Sequence, residues 1–250
     1  MTDTVASLLA TDGLYIIVIG AVLAGLVRGF AGFGTAMIFL PITSQVVAPV
    51  WALTIMIVMD MIGPLPTVPR ALRDGHPRDV LRLTVGLLAG LPVGFGLLTL
   101  MAPDVFRYAV SFIALILLAA LIAGLRYRGT LTKPLIYGTG GIGGFLEGCS
   151  GLAGPPVIML YMASTHPASV IRANLTLFLI CANLSMLILL ALTDFLTLTP
   201  VLLGLIVAVP YLLATVAGAA IFKPDYEKAY RNAAYAIIAT SAVTGLPLWD

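Results

Sequence analysis

Three ionisable side chains stand inside otherwise apolar sequence: Arg28 between Val27 and Gly29, Asp60 in Val58-Met59-Asp60-Met61-Ile62, and Glu147 between Leu146 and Gly148. Charge at membrane depth is costly and marks a partner, a cavity or a pathway. Arg28 presents a planar fork of five N–H donors that matches oxyanions such as carboxylate or sulfonate. Glu147 and Asp60 are the groups able to carry a coupling proton, and each could instead balance Arg28 in an ion pair.

Two of these charges sit in related surroundings. Gly25-Leu26-Val27-Arg28-Gly29-Phe30-Ala31-Gly32-Phe33-Gly34 lies without a gap on Gly144-Phe145-Leu146-Glu147-Gly148-Cys149-Ser150-Gly151-Leu152-Ala153, so that Gly25, Gly29 and Gly32 fall on Gly144, Gly148 and Gly151. Arg28 and Glu147 then occupy equivalent places in an internal duplication. Glycines at this spacing read in two ways: close helix packing, or unwound backbone whose amides face a ligand. On the second reading Gly29, Gly32, Gly34, Gly148, Gly151 and Gly154 join Arg28 in a substrate site. Helices starting near Gly34 and Gly154 would add amides and a positive dipole end for an anion.

Weaker candidates surround these. Asn183 is a possible lining residue, though amide hydrogen bonds between membrane helices are ordinary packing. Ser150 and Cys149 are lining candidates as well. Cys149 and Cys181 fall inside apolar stretches without a framework spacing, so they read as small buried side chains. His76 and His166 are far apart in the chain and read as loop residues, so no metal site is expected. Neither glycine segment has the dinucleotide or Walker pattern, and no cofactor or ATP-driven step is expected.

The elements that must hold these residues follow from composition. Of 250 residues 60% are hydrophobic and 10% charged, outside the range of an ordinary soluble domain. Eight near-continuous apolar stretches run from Leu14 to Val47, Trp51 to Val68, Leu83 to Met101, Phe106 to Leu125, Leu135 to Met162, Ala173 to Leu192, Pro200 to Phe222 and Ala233 to Leu248. They lack the alternation of barrel strands, so an all-α polytopic membrane protein is expected. The first residues carry Asp3 and Asp12 and no basic residue, unlike the n-region of a cleaved signal peptide. The net charge of +2 comes from loops and is no nucleic-acid signature.

Loop charge orders the stretches. Arg70, Arg73, Arg78 and Arg82, then Arg126, Arg128 and Lys133, then Lys223, Lys228 and Arg231 form three basic connections, which belong in the cytoplasm. The connections at Pro103–Asp104 and Thr193–Asp194 are poor in basic residues, Arg107 being alone near them, and should face out. These assignments agree only if the fifth stretch enters and returns on one side. It is Gly-rich and holds Pro155–Pro156, and the first stretch has the same Gly-rich character. The expected plan is therefore two inverted repeats, 1–130 and 131–250, in a single membrane domain. Each opens with a broken or re-entrant hairpin (14–47 and 135–162) and continues with three transmembrane helices, an odd number that inverts the second half. Eight simple crossings are the alternative. Lipid-facing and partner-facing apolar surfaces look alike, so oligomers are allowed.

Both glycine segments, continued in the second half through Gly154-Pro155-Pro156-Val157, and the basic connection Arg73-Asp74-Gly75-His76-Pro77-Arg78 make the chain resemble the sulfite exporter TauE/SafE family. The resemblance extends over essentially the whole length. It implies transport of small sulfur-containing or carboxylated anions, such as sulfite or organosulfonates, across the bacterial inner membrane. Phe33-Gly34-Thr35-Ala36 is less glycine-rich than in many relatives, which leaves the substrate open.

The leading expectation is a proton-coupled secondary anion transporter working by alternating access, with its site between the two hairpin tips near mid-membrane. A passive anion channel is the alternative. An embedded enzyme or assembly subunit is less favoured, because no nucleophile has a histidine at membrane depth.

Overall fold

A computed structural model describes residues 13–64, 67–124, 131–161 and 166–248. Asp3, Asp12, Arg126 and Arg128 of the sequence reading lie outside the described residues. Among the described residues there are eleven α-helices, a 3-10 turn at Pro224–Tyr226 and no strand, in agreement with the all-α expectation. In chain order the helices are α1 Leu14–Ala31, α2 Thr35–Thr43, α3 Pro49–Ile62, α4 Val68–Asp74, α5 Pro77–Leu100, α6 Pro103–Ile122, α7 Lys133–Ser150, α8 Gly154–Tyr161, α9 Ala168–Leu192, α10 Leu198–Ile221 and α11 Glu227–Thr244.

Five of them, α1, α5, α6, α9 and α10, are long and apolar enough to cross a membrane. The 24 residues of α5 reach about 36 Å at 1.5 Å per residue, enough for a hydrocarbon core of about 30 Å. Two expected spans come out differently. The second stretch ends as α3 after 14 residues, about 21 Å, because Gly63-Pro64 stops it, and the chain restarts as α4. The eighth is continuous with a charged first turn, Glu227, Lys228 and Arg231, and α11 is not among the membrane-length apolar helices. Exposed apolar residues recur at helical spacing, as in Leu81, Val85 and Leu88 of α5 and Val209, Leu213 and Val216 of α10. Such stripes suit lipid contact.

The chain divides into two compact units, each built from both halves of the sequence. Unit 1 comprises the described parts of Met1–Ile62, Ala102–Leu118 and Phe195–Asp250; unit 2 comprises those of Gly63–Met101 and Ala119–Asp194. In unit 1, α1 packs on α2 and on α10, α3 packs on α10, and α2 packs on α11. In unit 2, α7 packs on α8 and on α5, and α9 packs on α5. The pairing α1–α10 with α3–α10 thus has its counterpart in α7–α5 with α9–α5.

Both glycine-rich stretches reverse direction. Gly20 of α1 lies against Ile42 and Phe39, Gly13 against Val46, and Gly34 against Val27, contacts that require α2 to fold back along α1. In unit 2, Gly143 of α7 faces the carbonyl of Ala153 just past the break. At nine residues α2 is about 14 Å long, yet seven of its nine residues are buried. A short helix enclosed by protein keeps its unpaired terminal backbone groups away from lipid, the condition for interrupted helices at membrane depth.

Candidate functional site

The two breaks have the same backbone geometry. α1 ends at Gly32 with φ +78, and the Gly32 N–H donates to the Arg28 carbonyl at 2.9 Å. α7 ends at Gly151 with φ +68, and the Gly151 N–H donates to the Glu147 carbonyl at 2.9 Å. The left-handed conformation at both caps is the one that favours glycine. Gly34, at φ +101, is a second left-handed residue and starts α2. The duplication seen in the aligned sequence therefore extends to the positions and hydrogen bonds of the caps.

The remaining motif glycines have another role. A Cβ at Gly29 would collide with the Thr215 carbonyl and sit 2.7 Å from the Ala219 nitrogen, and one at Gly25 would collide with the Tyr211 carbonyl, all on α10. Their counterparts Gly148 and Gly144 make the same approach to the carbonyls of Leu91 and Leu87 on α5. Both readings of glycine hold, on different faces of one motif. Gly25, Gly29, Gly144 and Gly148 let helices meet backbone to backbone, whereas Gly32, Gly34 and Gly151 break them. Gly32 has open space where a side chain would be, and Gly154 meets only Leu179, at 3.6 Å.

In unit 1, Arg28 and Asp60 come together. Arg28 Nη1 stands 3.7 Å from Asp60 Oδ2, with side chains 17% and 10% exposed. The other carboxylate oxygen, Oδ1, accepts from the Tyr211 hydroxyl and from Thr35 Oγ1 at 3.4 Å; the two hydroxyls are 3.2 Å apart. Asp60 is thus held by hydrogen bonds on one oxygen and by charge on the other. The ion-pair distance exceeds a hydrogen bond, so Arg28 is balanced by Asp60 without its donor fork being filled by it. Of the two roles open to Asp60, the counter-charge to Arg28 is the one with direct geometry. Thr35 is the first residue of α2, so the network sits at the unwound joint of the first hairpin.

Glu147 is differently placed. Its side chain is 2% exposed, and its Oε2 accepts from the Ala153 N–H at 3.3 Å. The carboxylate thus reaches across the break of its own hairpin to one of the amides that the unwinding releases. Arg28, having no acceptor, cannot do the same at the first break. Ser150 Oγ and Cys149 Sγ both bond the Leu146 carbonyl, at 2.8 and 3.8 Å, and so finish the last turn of α7. Cys149 and Cys181 are free thiols. Asn183 is buried on α9.

Three features lay beyond the sequence reading. Tyr211 and Thr35 were missed because hydroxyls in apolar helices are common packing residues; the only signal was Tyr211 following Pro210. Arg107, expected beside an outward connection, is 6% exposed in α6, with its Nε donating to the Gly245 carbonyl at 3.3 Å and its Nη1 4.0 Å from Asp104. His76 and His166, expected as separate loop residues, meet edge to face with ring centroids 4.7 Å apart in unit 2. The reason is local: the His76 N–H donates to Asn174 Oδ1 at 2.7 Å, which ties the α4–α5 turn to α9. Arg172 lies inside α9.

Comparison with known proteins gives one finding. The family model described as Sulfite exporter TauE/SafE matches residues 17–244, which include both glycine motifs, Arg28, Asp60 and Glu147. No curated protein and no solved structure matches significantly.

Proposed function

The chain belongs to the sulfite exporter TauE/SafE family, a family of membrane transporters, and from that premise we propose that it is a secondary transporter of a small oxyanion such as sulfite, an organosulfonate or a carboxylate. The observation that carries this reading is the Arg28–Asp60–Tyr211–Thr35 network at the unwound joint between α1 and α2. A half-buried guanidinium whose charge is balanced but whose donors are not filled by its partner is suited to an incoming oxyanion. The amides at the start of α2, beside Gly34, supply further donors and a positive dipole end.

In this reading Arg28 is the main anion ligand, assisted by backbone at Gly32 and Gly34. Gly29 and Gly148 act through the close packing that places each break. Glu147 occupies an amide of the second break, where Gly148, Gly151 and Gly154 form the counterpart of the first. An oxyanion entering beside a neutral Arg28–Asp60 pair adds one uncompensated negative charge. A proton taken up on Asp60 or Glu147 would remove it, and this is the physical basis for proton coupling.

The shared cap geometry and the repeated helix pairing support a duplicated architecture, and the basic connections support its inversion. Alternating access then follows from movement of the two inverted halves, with a bacterial inner membrane as the location. The test is flux of labelled sulfite, sulfonates and carboxylates in proteoliposomes, with and without a pH gradient. Saturable flux coupled to the gradient is expected. Flux of none of these anions would overturn the assignment, and flux that neither saturates nor responds to the gradient would make the protein a channel.

A further inference from the structure

Away from the Arg28 network, unit 2 assembles a group of donors that the transport reading does not use. His76, Asp79 and His166 each offer one ligand atom, and these atoms all lie within 4.8 Å of one another. His76 Nδ1 is 3.8 Å from Asp79 Oδ2. The imidazoles come from two segments far apart in the chain, the turn between α4 and α5 and the residue two before α9. We propose that His76, Asp79 and His166 form a binding site for a divalent d-block cation, with Zn2+ as the favoured occupant.

The ligand chemistry selects the metal class. Two imidazoles and one carboxylate suit zinc and its neighbours, whereas magnesium and calcium take oxygen ligands. Metal–nitrogen bonds of about 2.0–2.1 Å in a tetrahedral arrangement place ligand atoms about 3.3 Å apart. The His76–Asp79 pair is already within about half an ångström of that edge, and the longest separation in the group needs about 1.5 Å of closure. Side-chain rotation can provide it, since the His76 side chain is 47% exposed. Water would complete the coordination from the open side.

The surroundings orient the donors. Arg82 Nη1 binds Asp79 Oδ1 at 2.7 Å, so that oxygen is engaged and Oδ2 is the one turned towards His76. Asn174, which holds the His76 backbone, is fully buried and itself donates to the Tyr161 hydroxyl at 3.2 Å. Tyr161 is the last residue of α8, so the same support that fixes His76 also touches the return arm of the second hairpin. A cation bridging His166 to His76 and Asp79 would clamp the exit of that arm to the start of α5. Zinc would therefore brake any movement of the hairpin relative to α5.

The test is calorimetric titration of the full-length, tag-free protein in lipid nanodiscs with Zn2+, and with Co2+ as a spectroscopic probe of imidazole ligation. One metal per chain is expected, with the ligand-field absorption of a nitrogen-bound Co2+. His76→Ala and His166→Ala should each weaken Zn2+ binding at least tenfold, with metal-free thermal stability compared in parallel to detect misfolding. His166→Cys should restore binding, because thiolate is a zinc ligand while it cannot replace an imidazole in a ring contact. Absence of binding by the native chain, or undiminished affinity in both alanine variants, would show an edge-to-face contact only and overturn the proposal. The readout is binding, so its failure is independent of whether any anion is transported.

Discussion

Asp60→Asn tests the electrostatic core of the site. The substitution keeps the shape of the side chain and an oxygen that can accept from Tyr211 and Thr35, and it removes the charge facing Arg28. At 3.7 Å and an effective dielectric of about 20, two unit charges attract by about 4.5 kcal/mol. Rehydration of Arg28 and rearrangement around it return part of that, so a double-mutant cycle with Arg28→Met should give a coupling of about 1–3 kcal/mol. On the proposed function an incoming anion competes with Asp60 for the same guanidinium. Removing the competitor should therefore tighten anion binding by about tenfold or more, the equivalent of about 1.4 kcal/mol. Affinity can be read from anion-dependent thermal stabilisation in nanodiscs, where a ligand bound only to the folded state raises the melting temperature with concentration. Unchanged or weakened anion affinity in Asp60→Asn, together with a coupling below about 0.5 kcal/mol, would refute the idea that Asp60 and substrate share Arg28.

Other expectations are separable from that one. Glu147→Gln keeps an oxygen for the Ala153 N–H, so folding should be preserved while the pH dependence of flux is lost; an unaltered pH profile removes Glu147 from proton coupling. Gly29→Ala puts a methyl into the α10 backbone and should cost about 1–3 kcal/mol as overpacking. Gly32→Ala meets open space but a left-handed φ and should cost about 1–2 kcal/mol. A melting series in which Gly29→Ala matches the parent would contradict the packing role. Arg107→Met loses a charged donor to the Gly245 carbonyl and should destabilise by about 1.5–3 kcal/mol, measured by thermal unfolding; an unshifted transition would make that contact dispensable.

The helix breaks were legible in the sequence because both stretches are too long and too glycine-rich for one helix. The gapless alignment located both caps, with Gly32 and Gly151 in the same conformation. Assigning each glycine was harder, since spacing alone does not say which face meets a neighbour. Gly25 and Gly29 are four apart and so lie on one helix face against α10, whereas Gly32 falls where the helix ends. Asp60 was readable as an ionisable group and, with Glu147, as one of two candidates to balance Arg28; the choice between them was not readable, because pairing depends on how α1 and α3 share α10. The meeting of His76 with His166 depends in the same way on Asn174 docking the α4–α5 turn. The second stretch, read from Trp51 to Val68, runs past the Gly63-Pro64 stop that ends α3, and the eighth, read from Ala233, begins after the charged first turn of α11.

The backbone contact between α1 and α10 also governs the order of assembly. α1 ends at Ala31 and α10 at Ile221, so a ribosome adding about 5–20 residues per second completes the second partner roughly 10–40 s after the first. Through that interval the glycine face of α1 is inserted but uncovered, and Arg28 has no finished enclosure. Truncation before α10 should therefore yield a chain that membrane quality-control proteases recognise, even though every residue of the first hairpin is present.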